Sequence, residues 1–175
     1  MQAFPSAGTL EDQDLEYLVE VCTPMRALDN SVLFDAGDVP DAFFLVVAGR
    51  IRVERMLESG ERVALGLLSR GHIVGDMGVL SGEPRSASAV VDEELLALRM
   101  DASTYRLLRQ EGHPAVLWLL GEINARMSDR VADMYARIAQ LRERPELIDQ
   151  LSAVEPTPIP WYESAARWVR EKVWN

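Results

Sequence analysis

A chain of 175 residues with one cysteine, Cys22, cannot close an internal disulfide. A disulfide-stapled secreted scaffold is therefore excluded, a reducing compartment fits, and Cys22 is expected to be a small buried hydrophobe in a helix. Histidine is also sparse. His72 and His113 are the only two, far apart in the chain and without a cysteine near either, which argues against a zinc site or a His-based catalytic dyad. No apolar run approaches the roughly 20 residues that span a bilayer. No basic region followed by an apolar run opens the chain as a signal peptide would. The reading is a soluble, cytoplasmic protein. Positive charge is the last shortage: 18 Lys and Arg face 28 Asp and Glu, for a formal net charge of -10. Nucleic-acid binders carry a basic stripe, so no nucleic-acid partner is expected.

What remains is an ordinary globular composition, 48% hydrophobic and 26% charged, enough for one domain with a core and extra helices. Residues 1–8 read as a flexible arm. Thr9 followed by Glu11 and Asp12 starts a helix, with Leu10, Leu15, Leu18, Val19 and Val21 at helical spacing. Pro24 ends that helix or begins a short next one. From about 30 to 100 the texture is of short β-rich runs broken by glycine, which suggests a sandwich or barrel. Ile51, Val53 and Arg55 alternate with Arg52 and Glu54, as in a half-buried strand. Ala48-Gly49 and Ser59-Gly60 are candidate turns, and Asp92-Glu93-Glu94 a solvated hairpin turn.

Asp101 is a candidate N-cap for a helix over DASTYRLLRQ that Gly112 stops, and Pro114 suits the first turn of a long helix over about 113–142. That helix carries Val116, Leu119, Leu120, Ile123, Met127, Val131, Met134, Ile138 and Leu141 at helical spacing. The stripe suits a homodimer seam or packing on the chain's own β domain. Trp118 reads as a packing residue. Residues 143–175 hold a Pro-rich linker, VEPTPIP, and a terminal amphipathic helix with Trp161, Trp168 and Trp174. That helix docks on its own domain or binds a protein partner. Its mixed charge argues against a membrane-surface role.

One segment carries the chemistry: IVGDMGVLSGEPRSASAVV, residues 73–91. Gly75 allows unusual dihedrals and close approach to a ligand. DMGVL can form a helical turn with unpaired N–H groups, an anion-binding element. Arg85, in Pro84-Arg85-Ser86, is planar and permanently charged, suited to bidentate contact with a phosphate. Ser86 adds a hydroxyl, and Asp76 is an acceptor for sugar hydroxyls. Together they describe a compact site for an anion attached to a sugar.

Val74-Gly75-Asp76-Met77-Gly78-Val79-Leu80, then Ser81-Gly82-Glu83, then Pro84-Arg85-Ser86-Ala87 resembles the phosphate-binding cassette of the cyclic nucleotide-binding domain family. LFDAGD at 33–38, FFLVVAGRIRV at 43–53 and RGHIVGD at 70–76 extend the resemblance, which covers about 10–142. It implies an α+β fold: a β-roll, that is, a double-stranded β-helix of jelly-roll type, with a flanking N-terminal helix and a long C-terminal helix. The domain would occupy 9–142. Arg85 would pair the cyclic phosphate with help from Ser86, and Asp76 would accept from the ribose 2′-hydroxyl. Gly75 and Met77 would shape the floor, Ala87 would pack beneath the phosphate, and Val53, Leu65 and Gly66 would touch the base.

Two departures from the family pattern stand out. Asp76 is one methylene shorter than the usual Glu, which calls for a water bridge or a shifted pocket. The turn that often caps the base with a hydroxyl is Val131-Ala132 here, leaving Ser128, Arg130 or Asp133 as substitutes. Ser86 rather than Thr after the arginine favours cAMP over cGMP as ligand. No metal and no catalysis are expected, since no nucleophile–base pair is visible. The C-terminal residues show neither a helix-turn-helix pattern nor a basic cluster. The expected function is a stand-alone sensor or adaptor that relays cyclic-nucleotide binding through helix movement to a dimer or protein partner. The alternative is a structural interaction protein, with the roll as a degenerate scaffold and the Trp-rich helix as binding element.

Overall fold

The structure is a computed structural model that describes residues 11–144. The expected arm at 1–8 and the linker and Trp-bearing helix beyond 144 lie outside the described residues. In chain order the elements are α1 (Asp12–Glu20), β1 (Thr23–Ala27), β2 (Val32–Phe34), β3 (Ala42–Met56), β4 (Arg62–Ser69), β5 (Ile73–Val74), α2 (Asp76–Ser81), β6 (Ser88–Asp101), α3 (Ala102–Gln110) and α4 (Pro114–Glu143). This is an α+β fold. Its six strands form one antiparallel sheet, in the order β1-β6-β3-β4, with β2 also on β6 and β5 also on β3. Pro24 neither ends nor begins a helix: it lies in β1, an edge strand, where a missing N–H is tolerated.

The two long strands, β3 and β6, make the roll, and Gly49 lets them do so. Ala48-Gly49 is not a turn, as the sequence suggested, but the middle of β3, where its register against β6 shifts. Gly49 has φ +88°, and a Cβ there would lie 2.1 Å from the carbonyl oxygen of Glu94. Without a side chain, β3 can kink against β6 and both strands continue past the kink. Asp92-Glu93-Glu94 is likewise not a hairpin turn but part of β6. Its carboxylates pair with Arg50 and Arg52 of β3 and Arg26 of β1. The chain does reverse at Ser59-Gly60, between β3 and β4.

Alternation along the first half of β3 feeds two cores. Phe43, Leu45 and Val47 join Leu18 and Val19 of α1, Tyr105 and Leu108 of α3, and Val116, Leu119 and Ile123 of α4. Ala42, Phe44 and Val46 face the roll interior with Ile51, Val74, Val91, Leu95 and Ala97. A strand buried on both faces reads as a continuous apolar run, which is what AFFLVV is. Cys22 is buried in the helix-side core, as expected, but lies between α1 and β1 and not in a helix; burial pushes its thiol up to about 12, so it stays protonated at neutral pH.

Further along β3 burial departs from the expected alternation. Arg55 is exposed, whereas Glu54 is buried under Arg52 and Arg62, at 3.2 and 2.7 Å. Burial raises the Glu54 pKa, but the hydrogen bonds and charges of Arg62 and Arg52 outweigh it and hold the carboxyl below its ordinary value. A carboxylate titrating lower when folded contributes stability above the unfolded pKa and loses it as pH falls through the folded one. Glu54→Gln is therefore expected to melt with a flatter acid limb between about pH 5 and pH 3. Thermal melts across that range check this, and limbs of equal steepness would contradict it.

The long helix begins at Pro114, after His113 caps it by accepting from the Ala115 amide at 3.3 Å. Asp101 occupies the N-cap position of α3, but its side chain pairs with Arg99 instead of capping. The single apolar stripe expected on α4 divides in two. Val116, Leu119 and Ile123 are buried against the sheet, whereas Val131, Met134, Tyr135 and Ile138 are exposed. Over the same distal turns, Arg126, Asp129, Arg130 and Asp133 line a cavity against the roll. This half of the helix thus turns charge toward the protein and apolar side chains toward solvent. No helix among the described residues is long and apolar enough to cross a membrane.

Candidate functional site

The segment from Ile73 folds as β5, the short α2, a turn, and the start of β6. Gly75 sits between β5 and α2 with φ +83°. A Cβ there would lie 2.6 Å from Arg85 Nη1 and 3.2 Å from Phe34 Cε1. The left-handed backbone and the empty space are one requirement, because Arg85 occupies the room a side chain would take. The Gly75 carbonyl then accepts from Arg85 Nη1 at 2.7 Å.

Arg85 is drawn inward until only 4% of it is exposed. The chain around it is held by two backbone bonds: Arg85 N–H donates to Asp38 at 2.9 Å, and its carbonyl accepts from Gly37 at 2.8 Å. Its guanidinium lies 4.2 Å from the centre of the Phe34 ring, a cation–π arrangement. Nη2 donates to the Ala42 carbonyl and, at 3.3 Å, to Asp41 Oδ1. Nε, also buried, has no hydrogen-bond partner among the described residues. Burial lowers the Arg85 pKa and the Asp41 charge and hydrogen bond oppose that, yet a guanidinium remains charged throughout the neutral range.

Asp76, the first residue of α2, is 3% exposed and pairs with Arg130 of α4 at 2.7 Å. The N-cap of α2 is Gly75, so Asp76 is not the cap. A cavity of about 80 Å³ lies between these groups, and it adjoins one of about 240 Å³ under α4. Leu68, Ile73, Asp76 and Arg130 line both. The smaller cavity brings together Gly75, Asp76, Met77, Arg85, Ser86, Ala87 and Val53. Met77 and Ser86 are exposed at its edge, while Ala87 is buried in its wall.

Leu65 and Gly66 do not join them among the lining residues. The β3–β4 register passes from Val53 opposite Gly66 to Glu54 opposite Ala64, so Leu65 is an unpaired bulge residue. Its side chain is 53% exposed. Leu68, two residues beyond Gly66, lines both cavities instead. A bulge is a property of the paired strands, which no pattern along β4 alone encodes. Of the three substitutes weighed on α4, Arg130 reaches the smaller cavity and Asp133 the larger. Ser128 is exposed and donates back to the Asn124 carbonyl at 3.1 Å.

Phe34, Asp41 and Leu68 carried no sequence signal that marked them for the site. Phe34 lies in LFDAGD, a string that reads as β-strand and turn, and Asp41 is one acidic residue among many. Among the described residues no group of His, Cys, Asp or Glu is placed to hold a metal ion. What the arrangement can do is take an anion at a buried, rigidly planar cation while a carboxylate stands nearby for hydroxyl groups.

Comparison with known proteins agrees with this chemistry. A family model described as the cyclic nucleotide-binding domain matches residues 25–111. The chain is 43% identical over 68 residues to the cyclic AMP receptor protein of Thermus thermophilus, a match covering 38% of this chain and 32% of that protein. It thus spans about a third of that relative's length. Among solved structures, the catabolite activator protein of Thermus thermophilus superposes with a TM-score of 0.64 at 28% identity, covering 77% of this chain and 62% of the other. A cyclic nucleotide-binding domain from Methylobacillus flagellatus superposes with a TM-score of 0.72 at 20% identity, covering 78% and 77%.

Proposed function

The chain belongs, through residues 25–111, to the cyclic nucleotide-binding domain family, and on that premise we propose that it is a cytoplasmic cAMP sensor that passes occupancy on through α4 to a homodimer or a protein partner. The domain so used would run over 9–142. The observation that carries the reading is Arg85: a buried guanidinium in the wall of a cavity, with an N–H that no group among the described residues satisfies. A cyclic phosphate supplies the acceptor. Ser86, Ala87, Gly75 and Met77 line the same cavity.

The ribose 2′-hydroxyl would donate to Asp76 and displace Arg130. The smaller cavity is too tight for a whole nucleotide, so the base would extend toward the larger one past Val53 and Leu68. Losing Arg130 from Asp76 loosens the tie between α2 and α4, which gives ligand and helix a shared two-state contact. The choice of cAMP rests on Ser86 and on the relatives named for cAMP, and cGMP is the competing ligand. We read the domain as one that senses and does not catalyse.

The exposed side of α4 supports the dimer. Val131, Met134, Tyr135 and Ile138 follow the spacing of a helix-pair seam, and a second copy of α4 would cover them. Ile138→Glu is expected to turn the dimer into a monomer, as read by analytical ultracentrifugation. A wild-type protein that sediments as a monomer would remove the dimer from the proposal.

One observation favours a second reading. Arg85 and Asp76 already hold internal partners, Asp41 and Arg130, as they would in a vestigial pocket serving as a scaffold. Calorimetry with cAMP and with cGMP separates the two. The sensor gives binding heat that Arg85→Ala abolishes. A scaffold gives no heat with either nucleotide, and its capture of a partner depends on Trp161 or Trp168.

A further inference from the structure

We infer that Asp41 is the internal counter-ion of Arg85 that an incoming phosphate displaces, and that this competition sets the affinity of the site. The inference rests on the cyclic-nucleotide reading above and deepens it. A phosphate that takes two oxygens to one guanidinium needs two neighbouring N–H groups. Nε is the one guanidinium nitrogen of Arg85 without a partner among the described residues, so a fork built on it must recruit a nitrogen already in use. Among the described residues the Arg85 side chain has three acceptors: the carbonyls of Gly75 and Ala42, and the Asp41 carboxylate.

They are not equally replaceable. The Ala42 carbonyl belongs to the first residue of β3 and the Gly75 carbonyl to the glycine before α2, so neither can leave without its element. Asp41 is a side chain, its contact is the longest of the three at 3.3 Å, and it is 67% exposed. It also has somewhere to go. Its other oxygen accepts from Arg99 Nη2 at 2.9 Å, so a carboxylate released by Arg85 keeps a cation. Burial tends to raise the Asp41 pKa, but its bonds and charge contacts to Arg99, with help from Arg85, outweigh this and hold it below its ordinary value. It is therefore an anion whenever the site is in use. An anion beside the phosphate position both competes for Nη2 and repels the ligand.

The sign of the effect separates this from a structural role. If Asp41 merely positioned Arg85, removing its charge would loosen the guanidinium and weaken binding. If it competes, Asp41→Asn tightens cAMP binding, by about two- to fivefold for an exposed ion pair, and the gain shrinks as salt screens the repulsion. Asp41→Glu, which keeps the charge, stays near wild type. The full chain is titrated with cAMP by calorimetry at low and high salt, in wild type, Asp41→Asn, Asp41→Ala and Asp41→Glu, each first shown to melt cooperatively. Tighter binding in both neutral variants supports the inference. Unchanged or weaker binding in them overturns it while leaving the sensor reading intact. No heat in the wild type overturns the sensor reading itself, and this inference with it.

Discussion

Arg85→Lys binds cyclic nucleotide no better than Arg85→Ala, at least about a hundredfold more weakly than wild type. The expectation runs against a simple charge argument, since lysine keeps the cation. Arg85, however, is not held as a point charge. Its plane lies near the Phe34 ring, Nη1 is engaged by Gly75, Nη2 by Ala42 and Asp41, and Nε has no partner among the described residues. An ammonium has three donors on one nitrogen and no planar edge, so it cannot hold both carbonyls and also present a fork to a phosphate. Hydrogen bonds to charged groups contribute about 1.5–3 kcal/mol each, and two lost together give the stated factor or more. The same substitution strands the carbonyls of Gly75 and Ala42, so the melting temperature falls as well. Calorimetry and thermal melts on the same samples check both parts. Wild-type affinity in Arg85→Lys would show that charge alone holds the ligand.

Gly49→Ala is expected to be the most destabilising single methyl group that can be added to the roll, at about 3–5 kcal/mol. Its Cβ would lie 2.1 Å from the Glu94 carbonyl oxygen, 2.8 Å from that carbonyl carbon and 2.9 Å from the Glu93 carbonyl oxygen. Every one of these is backbone in β6, so relief requires the two central strands to separate where they bend. The positive φ adds its own penalty for alanine. Gly75→Ala meets a softer neighbour, the far end of the Arg85 side chain, and is expected to keep more stability while losing the site. Urea denaturation of the two variants tests the ranking. A Gly49→Ala midpoint within error of wild type would mean that the kink at Gly49 is not needed for the strands to pair.

Much of the site could be read along the chain because it is local. Gly75, Asp76, Arg85 and Ser86 stand in one short segment whose glycine, cation and acceptors describe an anion-and-sugar cradle in order of appearance. The helices were legible for a similar reason: Pro114, Gly112 and the spacing of Val116, Leu119 and Ile123 are signals within one turn or two. What went astray depended on two segments at once. Gly49 reads as a turn residue until β6 lies against it. Asp92, Glu93 and Glu94 read as solvated until Arg50, Arg52 and Arg26 arrive from other strands. The apolar stripe of α4 is continuous in the sequence, and only the position where the roll ends decides that its second half is left uncovered.

The sequence by itself determined the chemistry, because residue type dictates what a group can donate, accept or bury: one cassette arginine, one acidic residue beside a glycine, a double-faced apolar strand. Tertiary structure alone decided who stands next to those groups. Phe34 on the guanidinium, Asp41 as its counter-ion and Arg130 across from Asp76 come from positions 51, 44 and 54 residues away in the chain. Such partners are set by strand register, a bulge at Leu65 and the placement of α4 on the sheet. Those are properties of pairing and packing that no local pattern encodes.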